Sequence, residues 1–186
     1  NLDMYIAKFT GLNTLAWGTY VGGSSDDDLN DLNLFSDGAV AFSGYTSSST
    51  ATFPTLVNAA GSANTNTDGI VGVIPAAGGA FSMLSRIGGS NTDQFNGLVI
   101  GLNDTIFVTG YSSGGNFPLG PGASSTTRFS ISNSGNDDMI IGKIPRDGKT
   151  GATDPWMATY CGGSGNDRGN TIRTYSSSTA LMVFGE

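Results

Sequence analysis

The stretch Gly22-Gly-Ser-Ser-Asp-Asp-Asp-Leu-Asn30 decides the fold, because its pattern Gly-Gly-Ser-x-x-Asp-x-x-Asn returns from Gly88 to Asn96 and from Gly162 to Asn170. The copies start 66 and then 74 residues apart. A period of this size is typical of a chain built from tandem supersecondary units. The pattern therefore predicts one partial domain over residues 1–186, with repeats at about 3–67, 68–136 and 137–186.

Short apolar runs flank each copy of this phrase. In the second copy, residues 68–74 and 83–87 precede the phrase, and residues 95–102 and 105–109 overlap or follow its end. The equivalent runs are 3–9, 17–21, 29–35 and 39–43 in the first copy, and 138–144, 157–161, 171–175 and 180–184 in the third. These runs are rich in β-branched and aromatic residues and are separated by turn residues, which predicts two antiparallel hairpins in each repeat. The 29 Gly and the single Glu also favour strands and turns over helices.

Four antiparallel strands repeated in tandem are typical of a β-propeller blade. The sequence therefore predicts an all-β fold of propeller blades, since a β-helix would repeat at a shorter interval and a sandwich gives no reason for a repeated phrase. The Gly pairs are interpreted as the turns from the outer strand of one blade to the inner strand of the next: Gly22, Gly23, Gly88, Gly89, Gly162 and Gly163. This layout counts two whole and two half blades, whereas a propeller needs about four to eight. We therefore expect a fragment of a larger propeller, with closure through copies of the same chain as the alternative.

Several of these stretches also resemble a known family. Asp3-Met-Tyr-Ile-Ala-Lys-Phe9, Trp17-Gly-Thr-Tyr-Val-Gly-Gly-Ser24 and Ser36-Asp-Gly-Ala-Val-Ala-Phe-Ser-Gly-Tyr-Thr-Ser47 are similar to the bacterial β-propeller repeat called SBBP. The resemblance implies a propeller in large exported or surface proteins, in a family that no catalytic motif defines. The connections at residues 46–67 and 112–136 are longer than the usual family connection, and the third copy stops before its Tyr-Thr-Ser segment.

Composition excludes several classes of function. The formal net charge is −7, the pI is about 4.2, and the eight basic residues are scattered, so nucleic acid is not an expected partner. No apolar run of about twenty residues is present, so no membrane span is expected. The single cysteine, Cys161, replaces an apolar residue of the other copies and is interpreted as a core residue.

The chain contains no histidine, which removes His-based triads and most zinc sites. No catalytic residue and no organic cofactor are predicted. A calcium site is the one cofactor hypothesis, because hard cations prefer carboxylate and carbonyl oxygens. Its candidate ligands are Asp26, Asp27, Asp28, Asp31, Asp93 and Asp167. Only Asp27, Asp93 and Asp167 recur, and the alternative for these three is a turn carboxylate that accepts backbone N–H bonds.

Three functions are compatible with these observations. The favoured one is a noncatalytic extracellular or cell-surface scaffold, adhesin or binding module, with a surface protein or glycan and the remaining blades as partners. The second is a propeller lyase or glycosidase that uses Asp and Tyr, for which Asp37, Asp104 and Asp154 are the candidate residues. The third is a structural subunit of a surface filament or layer. Function is expected where the repeat fails, at residues 26–31 and in the two long connections.

Overall fold

The computed structural model describes residues 1–57, 66–121, 129–148, 156–175 and 180–186. Within these ranges the chain is all-β, with one 3-10 turn at Leu102–Asp104. The strands are β1 Met4–Thr10, β2 Thr14–Val21, β3 Asp27–Leu34, β4 Val40–Thr46, β5 Asp68–Ile74, β6 Met83–Ile87, β7 Asp93–Ile100, β8 Ile106–Ser112, β9 Asp138–Ile144, β10 Met157–Cys161, β11 Gly169–Tyr175 and β12 Ala180–Gly185. The all-β class predicted from the sequence is confirmed.

The strands form several antiparallel sheets whose boundaries do not coincide with those of the sequence repeat. Their orders are β1-β2, β3-β4-β5-β6, β7-β8-β9-β10 and β11-β12. Each four-stranded sheet joins the second hairpin of one repeat to the first hairpin of the next. The two four-stranded sheets also share a register at this junction, where Thr46 lies opposite Asp68 and Ser112 lies opposite Asp138. The sheet is therefore half a repeat out of phase with the sequence.

Strand β5 of the sheet β3–β6 is covered on both faces. Every residue of β5 is buried, whereas β9 alternates between buried and half-buried positions. Ile70 and Ile74 of β5 belong to an apolar cluster that also holds residues of β1 and β2, while Val71 and Val73 belong to a second cluster shared with β7–β10. A strand buried on both faces needs a nearly continuous apolar sequence, and β5 has one.

The long connections between repeats reach into these two clusters and along the sheet edges. Phe53 lies in the first cluster and Phe117 in the second. Val57 pairs with Leu84 of β6, and Ser130 pairs with Tyr160 of β10. An uncovered outer strand would offer its free N–H and C=O groups to other chains. The described parts of both connections therefore fill the core and cover part of each outer edge.

The turns of the outer hairpins depend on glycine. Gly78 and Gly148 have φ values of 79° and 67°, which glycine adopts without the strain that a Cβ imposes. Each donates its N–H to a proline carbonyl three residues earlier, that of Pro75 and of Pro145. The predicted turn at Asp147-Gly148 is present, with the left-handed backbone at Gly148 but not at Asp147.

Candidate functional site

The repeated phrase brings two aspartates together at each passage from one sheet to the next. We call each such place a corner and define it by the first Gly of the phrase, the Asp of the phrase and the Asp at the start of the preceding outer hairpin. The first corner is Gly22, Asp27 and Asp3; the second is Gly88, Asp93 and Asp68; the third is Gly162, Asp167 and Asp138. The sequence pattern showed the opening Asp of each hairpin but gave it no role.

The phrase Asp accepts the same backbone hydrogen bond in each corner. Its Oδ2 accepts the N–H of the second Gly, at 2.8 Å from Gly23, 2.6 Å from Gly89 and 2.8 Å from Gly163. In the first corner the Asp27 Oδ2 also accepts the Ser48 hydroxyl at 2.8 Å. This carboxylate fixes the turn through the Gly pair, which is the contact that the turn interpretation requires.

The first Gly of the phrase leaves room for the two carboxylates. A Cβ on Gly162 would lie 2.8 Å from Asp138 Oδ1 and 2.9 Å from Asp167 Oδ2. A Cβ on Gly88 would lie 2.7 Å from Asp93 Oδ2 and would overlap Asp68 Oδ1. Because Cβ atoms essentially never come within 3.0 Å of another heavy atom, any side chain here would displace a carboxylate. The acid pair thus requires a glycine at this position.

In the second corner a buried arginine balances the acid pair. Arg86 of β6 is 1% exposed, and its Nε donates to Asp68 Oδ2 at 2.5 Å. Its terminal nitrogens donate to the carbonyls of Ser48 at 2.7 Å and Asn66 at 2.8 Å. Burial raises the pKa of Asp93 to about 6, and the charge of Asp68 adds to this effect. From the sequence, Arg86 was missed; its one signal was a cation inside an apolar strand.

In the third corner a tyrosine stands where the second corner has the arginine. The Tyr160 hydroxyl donates to the Gly114 carbonyl at 2.7 Å and accepts the Phe117 N–H at 3.0 Å. Gly114 matches Ser48 in the repeat, so Tyr160 and Arg86 bind the equivalent carbonyl. Asp138 Oδ2 accepts the Ser134 N–H at 2.6 Å, whereas its buried Oδ1 has no hydrogen-bond partner among the described residues.

The acidic stretch at residues 26–31 does not converge on one point. Asp26 accepts the Leu2 N–H at 3.1 Å, and Asp28 accepts the N–H of its neighbour Leu29. Asp31 accepts the Leu98 N–H at 2.9 Å, from the next sheet. Among the aspartates of this stretch, only Asp27 belongs to a corner as defined above. In the part of the chain that the structure describes, no group of three or more His, Cys, Asp or Glu is placed to hold a metal ion.

The Asn of the phrase links one sheet to the next. The Asn30 side chain donates to the Phe95 carbonyl, and the Asn96 side chain donates to the Gly169 carbonyl, both at 2.9 Å. Each acceptor is the residue just before the following phrase Asn. Asn30 and Asn96 belong to the predicted runs 29–35 and 95–102, and they lie within strands β3 and β7, at shifts in the strand register. A single sequence gives no direct signal for such contacts between sheets.

The candidate residues for an enzyme are tied to an arginine. Arg146 pairs with Asp37 at 2.5 Å and with Asp104 at 2.7 Å, and its guanidinium lies 4.1 Å from the centre of the Phe35 ring. The pKa of Asp37 is lowered, first by the Ala39 N–H and then by Arg146. A carboxylate held in its ionised form is a poor proton donor. Asp154 lies outside the described residues.

A search of protein-family models finds no match to this chain, and a search of the curated proteins finds no relative. No helix among the described residues is long and apolar enough to cross a membrane.

Proposed function

We propose that this chain is part of a β-propeller of the SBBP type and acts as a noncatalytic scaffold or binding module, extracellular or at the cell surface. The carrying observation is the repeated bond from a phrase Asn to the carbonyl that precedes the next phrase Asn. The same bond joins β3 to β7 and β7 to β11. A constant contact between like units supports a constant rotation from sheet to sheet, and this is the arrangement of a propeller around its axis.

A noncatalytic role is supported by the polar side chains that recur in the repeat, because they form their hydrogen bonds within the chain itself. The phrase Asp and Asn side chains bond to backbone groups, and Arg86 uses all its donor nitrogens inside the second corner. Asp37 and Asp104 share Arg146. Polar groups that already hold sheets and turns together cannot bind a substrate, so the described part of the repeat serves as a scaffold.

Binding is assigned to the two long connections, whose ends are fastened to the outer strands. Val57 bonds to Leu84, and the Asn66 carbonyl accepts from Arg86. In the other connection the carbonyls of Leu119 and Ser130 accept from β10. The remaining residues of the two connections, 58–65 and 122–128, lie outside the described residues and are considered by their sequence alone. Their Asn, Ser, Thr and Gly content suits hydrogen bonding to a protein or glycan.

The binding proposal can be tested with a glycan array and a panel of purified surface proteins. Replacing residues 58–65 or 122–128 with Gly-Ser sequence of equal length should abolish binding by the intact protein without lowering Tm. The matched control replaces the exposed turn at residues 11–13 and should leave binding unchanged. Absence of binding to every probe, or cleavage of any polysaccharide on the array, would contradict the proposal.

The scaffold proposal has a separate test. Asn96→Ala leaves the Gly169 carbonyl without its donor and should lower the free energy of unfolding by about 1–3 kcal/mol. The exposed Asn91 provides the control, since Asn91→Ala removes a bond to the Ser113 carbonyl at the surface. Equal effects of the two substitutions in urea denaturation would argue against the Asn bond as the link between sheets.

A second candidate, a structural subunit, is favoured by exposed apolar side chains at both end sheets. They are Tyr5, Phe9, Leu15 and Tyr20 on β1–β2, and Tyr175, Met182 and Phe184 on β11–β12. Among the described residues, β1 and β12 each pair with one neighbour only. In the register of β4 with β5 and of β8 with β9, β12 of a second copy would place Leu181 opposite Phe9. Sedimentation velocity should then show assemblies that Phe184→Glu abolishes, and a monomer at all concentrations would exclude this candidate.

A further inference from the structure

We propose that the third corner, formed by Asp138, Gly162 and Asp167, binds a calcium ion. The two carboxylates converge there, because Asp138 Oδ1 and Asp167 Oδ2 both lie beside the α-carbon of Gly162. Gly162 supplies no side chain that could fill the space between them. The inference is independent of the proposed function, since it concerns a corner of the scaffold and not the long connections.

Asp138 points to a ligand that the protein itself does not supply. The residue is 1% exposed, and its Oδ1 has no hydrogen-bond partner among the described residues. A buried carboxylate oxygen without a partner is costly, and the cost rises when a second carboxylate lies close by. A cation between Asp138 and Asp167 would remove both costs. The negative charge of the corner also reaches Cys161, whose thiol pKa is raised mainly by burial and further by Asp167 and Asp138.

The second corner holds the same kind of acid pair together with a buried cation, although Asp93 Oδ1 there also has no hydrogen-bond partner among the described residues. There the Arg86 guanidinium lies against Asp68 and binds the Ser48 carbonyl. Tyr160 replaces it in the third corner, binds the equivalent Gly114 carbonyl and carries no positive charge. Arg168, which directly follows Asp167 in the chain, pairs instead with Asp137. Among the described residues the third corner therefore has the acids of the second without its cation.

The chemistry of the corner suits calcium. Calcium takes six to eight oxygen ligands in irregular geometry, including carboxylates and water. Asp138 closes the buried side of the corner, whereas Asp167 is half-buried and leaves a side that water can reach. The first corner lacks this combination because Asp3, its opening aspartate, is exposed.

The test titrates the intact, chelator-treated protein with calcium chloride and records the heat of binding and the Tm. We expect a dissociation constant of about 10⁻⁴–10⁻³ M, as in extracellular calcium modules, and a Tm that rises with calcium. Asp138→Asn and Asp167→Asn should each weaken binding at least about tenfold, since even changes outside the ligand shell cost about 10–100-fold in metal affinity. The matched control, Asp93→Asn in the second corner, should leave the affinity unchanged.

A reciprocal exchange tests the role of the cation directly. Tyr160→Arg places a guanidinium in the third corner and should abolish calcium binding, while Arg86→Tyr should add a second binding event. If either variant fails to fold, Asp138→Asn and Asp167→Asn decide the question. Binding that survives Asp138→Asn would overturn the proposal. So would a wild-type protein that shows no heat of binding and no change in Tm with calcium.

Discussion

The second and third corners share one backbone frame but differ in the side chain that faces the opening aspartate. In the second corner Arg86 forms a buried ion pair with Asp68, and in the third Tyr160 leaves Asp138 without a cation among the described residues. Both side chains nevertheless bind the same carbonyl of the repeat. The repeat thus fixes the acid pair and the backbone, whereas the residue on β6 or β10 determines whether a cation lies beside the acid pair.

The largest expected effect comes from removing the cation of the second corner. Arg86→Met leaves Asp68 buried without its partner and frees the carbonyls of Ser48 and Asn66. Breaking a buried ion pair in this way costs about 3–5 kcal/mol, and we expect that loss in urea denaturation. Arg86→Lys keeps the charge but cannot reach three acceptors, so its free energy of unfolding should lie between those of the wild type and Arg86→Met. A loss below about 1 kcal/mol would contradict the buried pair.

The next effect is a pH dependence specific to the second corner. The folded-state pKa of Asp93 is about 6, above its ordinary value of 3.8, because of burial. Protonation of Asp93 therefore contributes stability that is fully present below about pH 4 and is lost as the pH rises through 6. Relative to Asp93→Asn, the wild type should lose on the order of 2–3 kcal/mol between about pH 4 and pH 7.5. Urea denaturation of both proteins across this pH range measures the loss. A difference in free energy of unfolding that stays constant with pH would contradict the prediction.

A smaller effect is expected at the matching position of the third corner. Tyr160→Phe removes the bond to the Gly114 carbonyl and leaves the buried Phe117 N–H unpaired. We expect a loss of about 2 kcal/mol, with no loss of an ion pair. The comparison between the corners therefore predicts that Arg86→Met is the more destabilising of the two substitutions. If Tyr160→Phe lowered the free energy of unfolding more than Arg86→Met in parallel urea titrations, the tyrosine and not the arginine would contribute more to stability.

The smallest effect is expected for an ion pair at the surface. Arg146 bridges Asp37 and Asp104, but all three side chains are substantially exposed. Arg146→Met should therefore cost no more than about 1 kcal/mol, and salt should reduce the difference. A loss as large as that of Arg86→Met would mean that exposure does not separate the two arginines.

Much of the fold could be predicted from the sequence because local patterns determine it. The strands β5, β6, β9 and β10 begin and end where their apolar runs do, and the Asp147-Gly148 turn lies where expected. The strands β3 and β7 begin earlier than predicted, at Asp27 and Asp93. The carboxylates of these two residues accept N–H groups of the preceding turn. A local sequence pattern therefore assigns both residues to the loop.

The corners could be predicted only in part. The phrase Asp was selected because it recurs, but its partner Asp68 or Asp138 precedes it by some twenty or more residues and meets it only when β5 or β9 takes its place in a sheet. Arg86 occurs in one copy only, so no repeat marks it. The Asn30 and Asn96 bonds cross from sheet to sheet, and only the packing of whole sheets brings their acceptors within reach.

The half-repeat offset of the sheets has an evolutionary consequence. Each four-stranded sheet takes one hairpin from either side of a repeat boundary, and Asn30 and Asn96 each find their acceptor in the next copy of the same phrase. A gene duplication of one full repeat therefore brings its own interface with it, wherever the crossover falls. Addition or removal of a whole repeat would preserve these pairings, whereas a gain of half a repeat would leave a hairpin without its partner.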